Sequence, residues 1–104
     1  MTKLLVHVSQ RLAGEWKSVG IELDFSYSEL TRIEQNRSHD LQNAILDMLQ
    51  TWNSRSRLSH EEKITMLNEV MESDTVGRVD ISRSIDDKLE GLSPFQKFQF
   101  NLLV

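Results

Sequence analysis

The sequence predicts an all-α fold, a six-helix antiparallel bundle, and three observations lead there. Apolar residues recur with helical spacing along the chain, and no sustained period-two run of strand type occurs. Start and stop signals cut that pattern into six segments joined by short connections. At 104 residues and 38% apolar, with four Phe, two Trp and one Tyr, the chain holds one compact domain with a real core and is too short for two.

The elements follow in order. Leu5, Val8 and Leu12 share one face of a first helix, and Gly14 separates it from a second that carries Trp16, Val19 and Leu23. Asp24 and Ser26 stop the second. Ser26 followed by Glu29 is a capping box that opens a short third helix through Leu30 and Ile33. Asn36–Ser38 ends it. Asp40 then places a negative charge at the start of the fourth helix, where the helix dipole favours it. Leu41, Ala44, Ile45, Met48, Leu49 and Trp52 keep the i, i+3, i+4, i+7, i+8, i+11 rule without a miss. After Trp52 the apolar residues stop, which predicts a loop, NSRSRLS, carrying Arg55 and Arg57. Ser59 and Glu62 form a second capping box, opening a fifth helix with Ile64, Leu67, Val70 and Met71 inward. Ile81, Ile85 and Leu89 mark the sixth, which Gly91 and Pro94 terminate. Trp16 and Trp52 both lie on apolar stripes and are read as core anchors. The domain is expected to span residues 1–91. The apolar tail 92–104, LSPFQKFQFNLLV, is expected to pack back on the bundle, the alternative being a flexible segment.

Charge and composition exclude several functions. The net charge is −4, and it is uneven: residues 1–59 balance, whereas residues 60–104 carry the whole acidic excess. A duplex nucleic acid demands the opposite sign, so no nucleic-acid partner is expected. A surface with both signs suits a protein that meets other proteins, or its own copies, through opposite faces. The chain has no cysteine, hence no disulfide framework and no thiolate chemistry. With neither a signal peptide nor an apolar run of membrane length, the cytosol or nucleus is favoured and no membrane insertion is expected.

Catalytic constellations are missing. HEEKI at residues 60–64 has Ile64 where a zinc-protease helix needs its second histidine, and His7 and His39 are distant in sequence. Glu61–Glu62 and Asp86–Asp87 are adjacent, and adjacent helical residues diverge by about 100°, so neither pair converges on a substrate. The glycines at 14, 20, 77 and 91 are isolated and build no phosphate loop, and no GxSxG elbow occurs. No enzymatic activity, metal or cofactor is expected.

GEWKSVGIELDFSYSELTRIEQN, with Leu23 seven residues after Trp16, a hydrophobe at Phe25 and a capped short helix from Leu30 to Ile33, resembles the core pattern of the death domain family. LQNAILDMLQTW resembles the family's amphipathic fourth helix closing on a tryptophan. LNEVMESDTVGRVDISRSI resembles the last two helices, with Asp80 where the family often has an acidic residue. The resemblance runs from about Leu4 to Leu89. The spacing of the two tryptophans is similar to that of adaptor-type members such as the Fas-associated death-domain adaptor. Ala13 stands where the family often has glycine, with Gly14 beside it, and the tail after Gly91 is not part of the usual pattern.

The resemblance implies the death fold, a Greek-key bundle without catalytic activity, located in the cytoplasm and binding other death-domain proteins: a receptor tail, an adaptor or a kinase. Homo-oligomers are a further implied possibility. It also implies three contacts. One sets helices 2 and 3 against helices 1 and 4. The second sets the end of helix 4 and its following loop against the loop between helices 5 and 6. The third sets helix 3 against the loops flanking helices 1–2 and 3–4. On this sequence the second contact places Arg55 and Arg57 on a positive loop and Glu72 and Asp74 on a negative one. Glu29 and Arg32, three apart on the third helix, are expected to face solvent together, and Lys17 and Glu22 lie on the outer face of the second. The function expected is recruitment in cell-death or innate-immune signalling. The alternative is a structural death-fold domain inside a larger cytoskeletal or RNA-processing protein.

Overall fold

A computed structural model describes residues 1–90, and the expectations for Gly91, Pro94 and the tail 92–104 lie outside the described residues. Six helices follow in order: α1 Thr2–Ser9, α2 Trp16–Glu22, α3 Tyr27–Asn36, α4 Leu41–Arg55, α5 His60–Glu72 and α6 Val79–Glu90. No strand occurs among the described residues. α4 is the longest helix and the centre of the packing, touching α1, α2 and α3, while α1 and α5 both pack against α6 and α2 also meets α5.

The helix starts are chemical. Ser26 Oγ accepts from the Glu29 amide at 3.1 Å while Glu29 Oε1 accepts from the Ser26 amide at 3.1 Å, so two orphan donors at the start of α3 are satisfied reciprocally. Ser59 and Glu62 repeat the arrangement on α5, both bonds at 3.2 Å. Asp40 caps α4 through its side chain, which accepts from the Asn43 amide at 3.2 Å. The end of α2 is a Schellman motif: the Phe25 amide donates to Gly20 O and the Asp24 amide to Ile21 O. That motif needs a left-handed residue at its turn, and Asp24 supplies it with φ 69°. Between α5 and α6 the same conformation falls to Gly77, φ 63°, where no side chain opposes it.

The inward stripes meet in one core. Leu4, Leu5, Val8, Val19, Leu30, Ile45, Leu49, Leu67, Ile81 and Ile85 are all buried in it, and Trp16 and Trp52 keep only 3% and 5% of their surface. Truncating a buried tryptophan costs about 3–5 kcal/mol, a large share of the ~5–15 kcal/mol that holds a domain folded. Gly20 lets α2, α3 and α4 approach closely: a β-carbon there would stand 2.5 Å from Leu30 Cδ2 and 2.8 Å from Met48 Sδ.

Three expectations about the helices change. The first helix ends at Ser9, so Leu12, placed on its face, is buried from the turn that follows. The fourth helix does not stop at Trp52 but runs one turn further, to Arg55, because residues 53–55 still close helical hydrogen bonds and the chain leaves the helix only at Ser56. Arg55 is therefore helical, and the loop that follows begins after it. Leu41, placed on the inward stripe, is half exposed. It is the first residue of α4, one turn before the fully inward Ala44 and Ile45.

Candidate protein interaction surfaces

Arg55 is the last residue of α4, and its side chain is already committed. Its Nη1 donates to Glu29 Oε2 at 2.5 Å, and its guanidinium carbon lies 4.7 Å from the centre of the Phe25 ring. The Schellman turn puts Phe25 in place, and the capping box fixes the carboxylate of Glu29, so the two local motifs together make the seat for this arginine. Glu29 uses one oxygen on its own helix cap and the other on Arg55. The bond from Arg55, then the cap bond, holds its carboxyl below the usual carboxylate range. A cleft of about 380 Å³ opens beside this group, lined by residues that include Leu23, Phe25, Trp52, Leu58 and Met66.

Arg57 is different. It sits two residues beyond the end of α4, exposed, and forms no ion pair among the described residues. The two arginines of the expected positive loop are thus separated by the helix end, one inside an intramolecular clamp and the other on the surface.

The acidic pair also splits. Glu72 closes α5 and accepts from Ser82 Oγ of α6 at 3.0 Å. Asp74, two residues on, is exposed and unpaired among the described residues. The expectation that Glu29 and Arg32 face solvent together is corrected: Glu29 turns to Arg55, 26 positions away, and Arg32 stands exposed without it. Lys17 is engaged across helices, donating to Glu34 Oε1 at 2.9 Å with its ammonium 5.7 Å from the Tyr27 ring centre and 5.9 Å from that of Trp16. Glu22 is half-buried and enters no ion pair among the described residues.

Sequence reasoning missed a third polar group. Arg78 donates through Nε and Nη2 to the two oxygens of Asp80, each at 2.9 Å, and through Nη1 to Glu15 Oε1 at 2.7 Å. Glu15 Oε1 also accepts from the Ala13 amide. The planar guanidinium therefore ties the loop before α6 to the α1–α2 turn. The Asp80 carboxyl is held below its ordinary value by the bonds from Arg78, and Arg78 is held more firmly protonated than usual, first by the bonds to Asp80. The i, i+2 spacing of Arg78 and Asp80 was visible in the sequence, but Glu15, 63 positions away, carries no local signal. Lys63 was missed as well. It is buried, and its ammonium donates to Asn53 O at 3.1 Å and Asn53 Oδ1 at 2.8 Å, pinning α5 to the last turns of α4.

No cluster of three or more metal-ligating side chains occurs among the described residues, and no described helix is long and apolar enough to cross a membrane. The side chains held in fixed geometry hold other parts of the same chain, and what remains open to solvent is charge on loops and outer helix faces together with single apolar side chains such as Ile21, Tyr27 and Val79. The family model of the Death domain matches residues 2–88, and the chain belongs to that family. Death domains are protein–protein interaction modules that bind other death-fold domains. Comparison with curated proteins and with solved structures gave no match.

Proposed function

We propose that the chain is a non-catalytic, adaptor-type module that recruits other death-domain proteins into a cytoplasmic complex in cell-death or innate-immune signalling. The Death domain match over residues 2–88 carries this reading. Its partners are a receptor tail, an adaptor or a kinase that presents a death domain of its own.

The contact is made by Arg57 on one molecule and Asp74 on another. The two residues flank opposite ends of α5, whose 13 residues extend about 20 Å at 1.5 Å each. They cannot pair within one chain, and both are exposed and unpaired among the described residues. Complementary charge of this kind steers encounter and excludes wrong partners more than it adds affinity. Arg55 supports the contact from behind: it fixes the end of α4 from which the Arg57 loop departs.

Affinity capture from cells tests both layers. The tagged wild-type chain is expected to retain proteins that contain death-fold domains, and Arg57→Glu or Asp74→Arg to reduce that capture by about ten-fold, roughly 1.4 kcal/mol. Unchanged capture by both variants, with helicity intact by circular dichroism, would remove Arg57 and Asp74 from the contact. A capture in which no retained protein contains a death-fold domain would overturn the recruitment reading itself.

A further inference from the structure

On a chain whose net charge is −4, residues 1–11 carry Lys3, His7 and Arg11 and no carboxylate, although the neighbouring α6 exposes Asp80, Asp86 and Asp87 as well as Arg83 and Lys88. Lys3, His7 and Arg11 stand at i, i+4 and i+8, along a single line. Arg11 lies past the end of α1, in a turn where its amide donates to Val8 O and its guanidinium to His7 O, which keeps its side chain beside His7. Lys88 of α6 borders the same line, since its charge and that of Arg11 both disfavour a proton on His7. His7 itself is joined to α6 by a 3.0 Å hydrogen bond with Ser84 Oγ. Lys3, Arg11 and Lys88 enter no ion pair among the described residues.

The outer face of α5 is the counterpart. A groove of about 510 Å³ runs along it, lined by Leu58, Glu61, Glu62, Thr65, Met66 and Glu69. It has a partly apolar floor, three carboxylates, of which Glu62 also accepts from the Ser59 amide, and no cation among the described residues. Glu61, Thr65 and Glu69 also stand at i, i+4 and i+8, all exposed. Each line is therefore about 12 Å long at 1.5 Å per residue, with charge at both ends and a neutral or weakly basic residue in the middle. The signs are opposite.

We propose that the α5 groove receives the Lys3–His7–Arg11 line of a second copy of this chain. Lys3 and Arg11 then lie over Glu69 and Glu61, in either order along the groove, and their aliphatic stems cover Leu58 and Met66. The two surfaces differ, so the contact is heterologous, and each copy offers a free surface at either end for the next. It uses neither Arg57 nor Asp74 and none of the three contacts that the family resemblance implies. It rests on the interaction-module reading, and it adds a way for copies to line up beside one another.

Charge reversal in pairs tests it on the whole chain. Lys3→Glu with Arg11→Glu makes the line acidic, and Glu61→Lys with Glu69→Lys makes the groove basic. All four residues are exposed, and circular dichroism checks that both variants fold. Sedimentation velocity up to about 1 mM, the range of weak association, is the readout. The wild type is expected to self-associate at about 50 mM salt and to become monomeric near 0.5 M, where charges are screened within a few ångströms. Each reversed variant alone is expected to remain monomeric, and an equimolar mixture of the two to associate, because the reversed line then meets a reversed groove. A monomeric wild type at the highest concentration overturns the proposal, as does undiminished association of either variant alone or a mixture that stays monomeric. An Arg57→Glu chain should assemble like the wild type. Loss of assembly in that variant would assign self-association to the Arg57 loop and overturn the groove contact, whereas loss of partner capture with assembly intact bears only on the recruitment contact.

Discussion

At the scale of single residues, Gly20 shows how close approach overrides local preference. In an open helix, replacing glycine with alanine gains about 1 kcal/mol. At Gly20 the added carbon would press on Leu30 Cδ2 and Met48 Sδ, so these fully buried side chains must shift within the core, and overpacking of that kind costs about 1–3 kcal/mol. Gly20→Ala is therefore expected to lower the urea midpoint, with a net loss of up to about 2 kcal/mol. Gly14→Ala serves as the control. Nothing lies within 4 Å of its added carbon, so stability should hold or rise slightly. Spacing alone does not separate these two glycines. Arg55 and Arg57 teach the same lesson for charge: two alike residues in one short stretch, one seated on Phe25 and Glu29, the other left on the surface.

At the scale of elements, the boundaries of α3 and α5 were legible because the signals are local. A serine and a glutamate three residues later need only their own backbone to form a capping box, and both predicted boxes are present. The end of α4 was less legible. Polar residues 53–55 carry no periodic signal, yet the helix continues through them, and Lys63 of the next helix holds the carbonyl and side chain of Asn53. The start of α6 depends on Arg78, which joins it to the α1–α2 turn. Arg78→Lys keeps the charge but loses the planar fork. The expected result is a loss of up to about 1 kcal/mol, typical of partly exposed ion pairs, with faster amide exchange at residues 13–16 and 79–81. Unchanged exchange there would mean that Arg78 does not link the two elements.

At the scale of the whole molecule, the charged groups make stability depend on pH. His7 has its pKa lowered from 6.5, first by burial and then by the charges of Arg11 and Lys88. Between that lowered value and 6.5 the unfolded chain binds more protons than the folded one, so stability falls as pH drops from neutrality into this range. Glu29 and Asp80 are lowered from 4.5 and 3.8 by the bonds from Arg55 and Arg78. Their contribution is complete above those ordinary values and is lost as pH falls through the lowered ones. Urea midpoints measured from about pH 7.5 to about pH 3 should therefore decline in an upper and a lower stage; the Met1 ammonium, lowered from 8.0 first by burial, adds to the upper one, and His7→Gln should reduce that stage and leave the lower. The same decline between pH 7 and 5 in the wild type and in His7→Gln would refute the role given to His7.

The sequence by itself determined the helices and the core. Apolar periodicity and capping chemistry act over three or four residues, so six helices, their inward faces and the burial of Trp16 and Trp52 could be read without coordinates. The family pattern rests on the same local agreements, taken in order. Only the tertiary structure decided which charges are paired within the chain and which stand open to solvent. Arg55 meets Glu29 across 26 positions and Arg78 meets Glu15 across 63, and a long side chain forms such a pair only after the core has brought two distant helices together. The packing that hides the apolar stripes thus also sorts the surface charges, leaving Arg57, Asp74, Lys3, Arg11, Glu61 and Glu69 without an ion pair among the described residues.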